Sequence, residues 1–177
     1  MSHPQQPGRR RALALLGATP LLVAGCGFKL RGARPMPFES IYLGMSPYAE
    51  LTAALRRQIR ANGDTVIAER AEDAQVRLDV LADRKEKVIL ALNTQGKVRE
   101  YQLRHRFIFR LVDVKTGQEA LPASEVYLYR DLAFDDTQLL AKEQEEILLY
   151  RDMQNDLVQQ LLRRLAAARM PAAAPKP

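Results

Sequence analysis

The chain is poor in the residues that most catalytic and metal chemistry requires. It has one cysteine and two histidines among 177 residues. A single Cys26 rules out an intrachain disulfide, even in an oxidising compartment. A zinc site built from cysteine and histidine is nearly excluded as well. Tryptophan is absent and aromatic residues make up 6% of the chain, whereas hydrophobic residues reach 47% and charged ones 27%. That balance describes a folded domain rather than a disordered or fibrous one, and the length suits one domain with a modest core. Serines beyond the first 26 residues are Ser40, Ser46 and Ser124, none of them in a G-x-S-x-G elbow. His105 lies among Leu103, Phe107 and Phe109, which marks it as a core histidine. The sequence predicts no enzyme, no catalytic residue, no metal and no soluble cofactor.

What is present is concentrated at the start. Arg9, Arg10 and Arg11 precede an apolar run, Ala12 to Ala24 (ALALLGATPLLVA). A run of that length, about 7–15 residues, suits the h-region of a secretory signal and falls short of the roughly 20 needed to span a bilayer. The formal charge of +6 would invite a nucleic-acid reading. Removing this segment takes away three of the 27 basic residues and none of the 21 acidic ones, leaving +3. No nucleic-acid partner is expected from so mild an excess.

Val23-Ala24-Gly25-Cys26 resembles the bacterial lipobox, an aliphatic residue and two small ones before cysteine. The resemblance implies cleavage between Gly25 and Cys26, a diacylglyceryl group on the Cys26 thiol and an acyl chain on the new amine. Several acyl chains bury enough methylenes, about 0.8 kcal/mol each, for stable anchoring. Gly27, in place of Asp, favours the outer membrane over retention in the inner one.

The remaining chain divides into a lipidated N-terminus and linker (26–37), one domain (38–169) and a disordered tail (170–177). Phe38–Met45 reads as a strand. Ser46-Pro47 then offers a helix start, and Leu51, Leu55 and Ile59 form one face of a helix from about Tyr48 to Ala61, closed by Asn62-Gly63 in the left-handed conformation. Val76, Leu78 and Val80 alternate with polar residues. After a charged interruption at 83–87, Val88, Leu90 and Leu92 resume the pattern. Asn93 to Lys97 is a turn. Leu103, His105, Phe107, Phe109 and Leu111 occupy one face of the next strand and Arg104, Arg106 and Arg110 the other. Val126 to Leu132 is a further strand. Asp135-Asp136-Thr137 caps a long helix with apolar positions at Met153, Leu157, Leu161 and Leu165. The expected fold is α+β: two helices on one face of a four-stranded mixed sheet, in the order β-α-β-β-β-α.

The arginine face supports two readings, a solvated surface paired to Glu and Asp, or a surface for an anionic partner.

Cys26-Gly27-Phe28-Lys29-Leu30-Arg31-Gly32, the helix ending Leu55 to Gly63, Glu100-Tyr101-Gln102-Leu103 and Leu140-Ala141-Lys142-Glu143 follow one another in an order that resembles the LptE family of lipopolysaccharide-assembly lipoproteins. The resemblance implies an outer-membrane lipoprotein on the periplasmic side that plugs a large β-barrel, LptD, helps it assemble and binds lipopolysaccharide through basic residues. Lys142 matches a family lysine. Where a family member carries a basic residue before Asn-Gly, this chain has Thr94-Gln95-Gly96, so Lys97 and Arg99 would take that part. The alternative expectation is a lipoprotein accessory subunit of an inner-membrane ABC-type lipid transporter.

Overall fold

A computed structural model describes residues 35–63 and 65–171. Its elements are β1 (Ser40–Gly44), α1 (Glu50–Asn62), β2 (Val66–Ala68), β3 (Val76–Leu92), β4 (Val98–Asp113), β5 (Glu119–Ala133) and α2 (Leu139–Ala166). The strands form one mixed sheet in the order β2-β1-β3-β4-β5. β1 runs parallel to both β2 and β3, and β3, β4 and β5 form an antiparallel meander.

The α+β class and the two helices agree with the sequence, but the sheet has five strands rather than four. The additional one, β2, has three residues on a sheet edge, too few for an alternating pattern to register. A second correction concerns β3. It is one continuous strand of 17 residues, and its charged centre is not a break. A bulge lies between Val80 and Ala82, leaving Leu81 as the unpaired extra residue. Val80 faces Phe109 across the ladder, whereas beyond the bulge Asp83 faces Phe107 and Lys85 faces His105. The bulge therefore moves the helix-covered face from the even to the odd residues of β3. Val88, expected to continue the face of Val76, instead pairs with Gln102 on the opposite side.

Both helices lie on one face of the sheet and share one core with it. Leu51, Leu55 and Ile59 of α1, Met153, Leu157, Leu161 and Leu165 of α2, and Leu103, Phe107, Phe109 and Leu111 of β4 are buried in one hydrophobic cluster. Strict alternation puts those β4 side chains inward and leaves Arg104, Arg106 and Arg110 on the uncovered face. Phe38, ahead of β1, is also buried in this core.

Several boundaries differ from expectation. Ser46-Pro47 forms a turn and not the helix cap: the Ser46 carbonyl accepts from Ala49 N at 3.2 Å and from Thr52 Oγ1 at 2.7 Å, and α1 starts at Glu50. The helix stops at Asn62 as expected, but Gly63 has φ 153° rather than the left-handed helical value. Met170, assigned to the tail, packs against the core, and Arg169 N donates to the Ala120 carbonyl at 3.0 Å.

Gly44 closes β1 where a side chain has no room. A Cβ there would lie 2.6 Å from the Leu78 carbonyl oxygen on the neighbouring strand. Backbone would have to move, so Gly44→Ala should destabilise the domain by about 1–3 kcal/mol, read as a lowered denaturant midpoint with an unchanged slope.

Candidate functional site

The long strands carry the site to one end of the sheet. β3, β4 and β5 contain 17, 16 and 15 residues, roughly 50 Å at about 3.4 Å per residue. The β3–β4 turn, the end of β5 and the start of α2 meet at the tip away from β1. Asn93 shapes the turn by accepting from the Gln95 and Lys97 amides, both at 2.9 Å, with Gly96 at φ 78°. Phe134 N donates to the Arg99 carbonyl at 2.8 Å. Asp135 accepts from Thr137 N at 2.9 Å and caps the short 3-10 turn 136–138 that leads into α2.

This arrangement brings together the three residues that the sequence singled out. Lys97 Nζ lies 3.0 Å from Asp136 Oδ2, and its hydrogen bond holds the Asp136 carboxyl below the usual carboxylate range. Asp135 is also held low, first by the Thr137 amide and hydroxyl, with a smaller contribution from the Lys142 charge. Lys142 Nζ reaches Glu145 Oε2 at 2.9 Å. Arg99 is exposed on the adjoining strand and makes no ion pair among the described residues. Exposed pairs such as Lys97–Asp136 contribute little to stability, about 0–1 kcal/mol, so an incoming anion can compete for these cations.

A fourth cation joins them. Lys87 Nζ lies 2.5 Å from Glu146 Oε2 and 4.3 Å from the Tyr101 ring centre. The Tyr101 and Phe134 rings meet edge to face at 5.1 Å. Lys87, Lys142, Tyr101, Phe134, Leu132 and Leu139 help to line a cavity of about 210 Å³. Its signal was present in the sequence: once the strand is continuous, Lys87 and Ile89 fall on the same face as Tyr101. The tip is also apolar outside. Ile89 is 58% exposed and Leu140 79%, with Leu90, Leu92 and Leu139 similarly uncovered. A surface pairing cations with exposed aliphatic side chains matches an anionic amphiphile better than a purely ionic ligand.

Arg104, Arg106 and Arg110 are not part of this tip cluster. On the uncovered sheet face Arg106 makes a two-pronged pair with Glu125 at 2.7 and 3.2 Å. This pairing raises the arginine pKa and lowers that of the carboxylate. Arg110 contacts Asp79 at 3.2 Å and Glu119 at 3.5 Å, and Arg104 Nε donates to Gln102 Oε1 at 2.8 Å. Internal partners therefore occupy this face. His105 is buried, as its neighbours in sequence indicated, with Nε2 2.7 Å from Asp83 Oδ1. Cys26 and the cleavage position at Gly25 lie outside the described residues. No helix among the described residues is long and apolar enough to cross a membrane.

The family model of lipopolysaccharide-assembly LptE matches residues 38–165, most of the chain, from ahead of β1 to the last turn of α2. The chain belongs to the LptE family. A Photorhabdus laumondii LPS-assembly lipoprotein LptE is 32% identical over 166 residues, 89% of this chain and 86% of that protein. Among solved structures, lipoprotein B of Nitrosomonas europaea superposes with a TM-score of 0.69 at 37% identity, covering 80% of this chain and 91% of the other. The rare lipoprotein B of Shewanella oneidensis gives 0.62 at 29% identity, over 72% and 94% of the two chains. The relatives are lipoproteins by name, and family membership places this chain in lipopolysaccharide assembly.

Proposed function

We propose that the chain is anchored in the outer membrane through lipid on Cys26, sits as a plug in an LptD-type β-barrel that it helps assemble, and binds lipopolysaccharide at the tip. The observation that carries the binding part is the convergence of Lys97, Arg99 and Lys142 on one apolar end of the domain, with Lys87 beside them. Lipid A and the inner core carry clustered phosphates. Charge-assisted hydrogen bonds to such groups contribute about 1.5–3 kcal/mol each when partly shielded from water. The exposed aliphatic side chains around the cations suit the acyl portion.

Replacing Lys142, Lys97 and Arg99 together by Glu should weaken lipopolysaccharide binding at least tenfold, about 1.4 kcal/mol, measured by titration of the purified mature chain. The same variant should still copurify with the barrel, because a plug contact rests on a much larger surface than three side chains. Binding as tight as wild type at low salt would remove the tip assignment. Recovery of an ABC-type transporter instead of a barrel in the copurification would favour the accessory-subunit alternative.

A further inference from the structure

A second cationic site lies between the two helices. The cleft there has a volume of about 700 Å³ and draws Arg57 from α1, Lys85 from β3, and Tyr150, Arg151 and Gln154 from α2. It shares no lining residue with the tip cavity. Its charge is poorly compensated. Arg57, Lys85 and Arg151 make no ion pair among the described residues, and Glu50, the one carboxylate on the wall, contacts none of them within salt-bridge distance. Three cations at the other contacts of α2 are matched: Lys87 with Glu146, Lys142 with Glu145, and Arg130 with Asp156.

The β3 bulge helps to create this imbalance. By shifting the helix-covered face to odd residues, it turns Asp83, Lys85 and Lys87 toward the helices. Asp83 meets His105 and Lys87 meets Glu146, but Lys85 finds only the face of Tyr150, 5.7 Å from the ring centre. Tyr150 supplies no negative charge. Its hydroxyl donates to the Glu86 carbonyl at 3.0 Å, and burial, together with Glu146 and Glu86, raises its pKa. Gln154 also lines the cleft, and its carboxamide, which makes no hydrogen bond within the described domain, is open to the cleft as a donor.

We infer that the cleft between α1 and α2 is a binding site for a phosphate ester, with Arg57, Lys85 and Arg151 around the phosphate and the Gln154 amide donating to it or to its ester substituent. Guanidinium groups match phosphate oxygens in a two-pronged geometry. The volume exceeds what a single phosphate needs and falls in the range of small-molecule pockets, about 300–1,000 Å³. The ester therefore carries a substituent of head-group size, lying along the Ile147 and Tyr150 wall. This site is separate from the tip and stands or falls independently of it.

The test is calorimetric titration of the lipidated mature chain in nonionic detergent at low ionic strength. The probes are inorganic phosphate, short-chain phosphatidate, the same lipid as phosphatidylcholine, and citrate at matched ionic strength. Saturable binding of phosphatidate at one site, tighter than either phosphatidylcholine or citrate, is the expected result. If inorganic phosphate binds as well as phosphatidate, the site takes the free anion; weaker binding assigns it to the esterified head group. Arg57→Gln and Lys85→Gln should each weaken binding about fivefold, and Arg84→Gln, the same charge change on the uncovered sheet face, should not. Arg57 and Lys85 are exposed, so both variants should keep the wild-type melting curve, and a variant that does not is replaced by the other. Citrate binding as tightly as phosphatidate, an equal loss in Arg84→Gln, or no saturable binding would overturn the assignment. The tip variant with three Glu substitutions should retain phosphatidate binding here, which separates the two sites.

Discussion

Phe107→Ala should cost about 3–5 kcal/mol of unfolding free energy, read from denaturant melts of the purified chain. Phe107 is fully buried, lies on the helix-covered face of β4 and sits 5.9 Å, centre to centre, from the equally buried Phe109. Truncation removes the transfer free energy of the ring and leaves a cavity in the core shared by the sheet and the helices. In a domain with a total stability of about 5–15 kcal/mol, that loss is a large fraction. Tyr127→Ala is the matched comparison. Tyr127 lies one residue along β5 from Val126, the ladder partner of Phe107, but on the uncovered face and 48% exposed. It should lose much less. A Phe107→Ala loss below about 1 kcal/mol would contradict the packing described here.

The side of β4 facing the helices could be read from sequence because its period-two pattern runs unbroken from Leu103 to Leu111, and every inward residue in it is buried. The helical stripes were legible for the same reason: each element presents an apolar face at the period of its own geometry. β3 was read less well because one bulge residue changes the parity of a strand. A reader who assumes strict alternation assigns Asp83, Lys85 and Lys87 to a break, although these residues pair in register with Phe107, His105 and Leu103. β2 was missed because three residues carry no period, and it is its parallel pairing with β1 that makes it a strand. The start of α1 was misplaced because Ser46-Pro47 has the chemistry of a cap, and here its carbonyl serves a turn and the Thr52 hydroxyl instead.

The candidate site was legible in a different way. Lys142 is distant in sequence from Lys97 and Arg99, and their grouping depended on whether a turn and a helix start come together. The Phe134–Arg99 backbone bond and the Lys97–Asp136 pair supply that link. The same parity change in β3 concealed which face Lys87 occupies. The arginine face shows the opposite limit. Three arginines on one side of a strand look cationic in a sequence, but the carboxylates that compensate two of them come from β3 and β5, and only the register brings them within reach. The grouping of the inter-helix cations had no sequence signal, because Arg57, Lys85 and Arg151 belong to three elements with no common pattern.

Cys26→Ser should abolish lipid attachment altogether. Serine presents a hydroxyl where the modification requires a thiol nucleophile, and the chain has no other cysteine to substitute for it. Without the diacylglyceryl group the precursor should stay uncleaved, retaining the Ala12–Ala24 segment, or be released as an unlipidated species. Metabolic labelling with an alkyne fatty acid should mark wild type alone. The energetic consequence is large because anchoring by acyl chains sums over buried methylenes, about 0.8 kcal/mol each, and one chain gives only marginal binding while two or more hold firmly. Folding should be unaffected, since the core of the described residues is built from Phe38 to Ala168. The variant, freed of its signal segment by truncation to start at residue 26, should therefore melt like the wild-type domain and bind phosphatidate at the inter-helix cleft, yet fail to sediment with membranes. Equal labelling of wild type and Cys26→Ser would sink the anchor assignment, and with it the placement of the chain on the outer membrane through this residue.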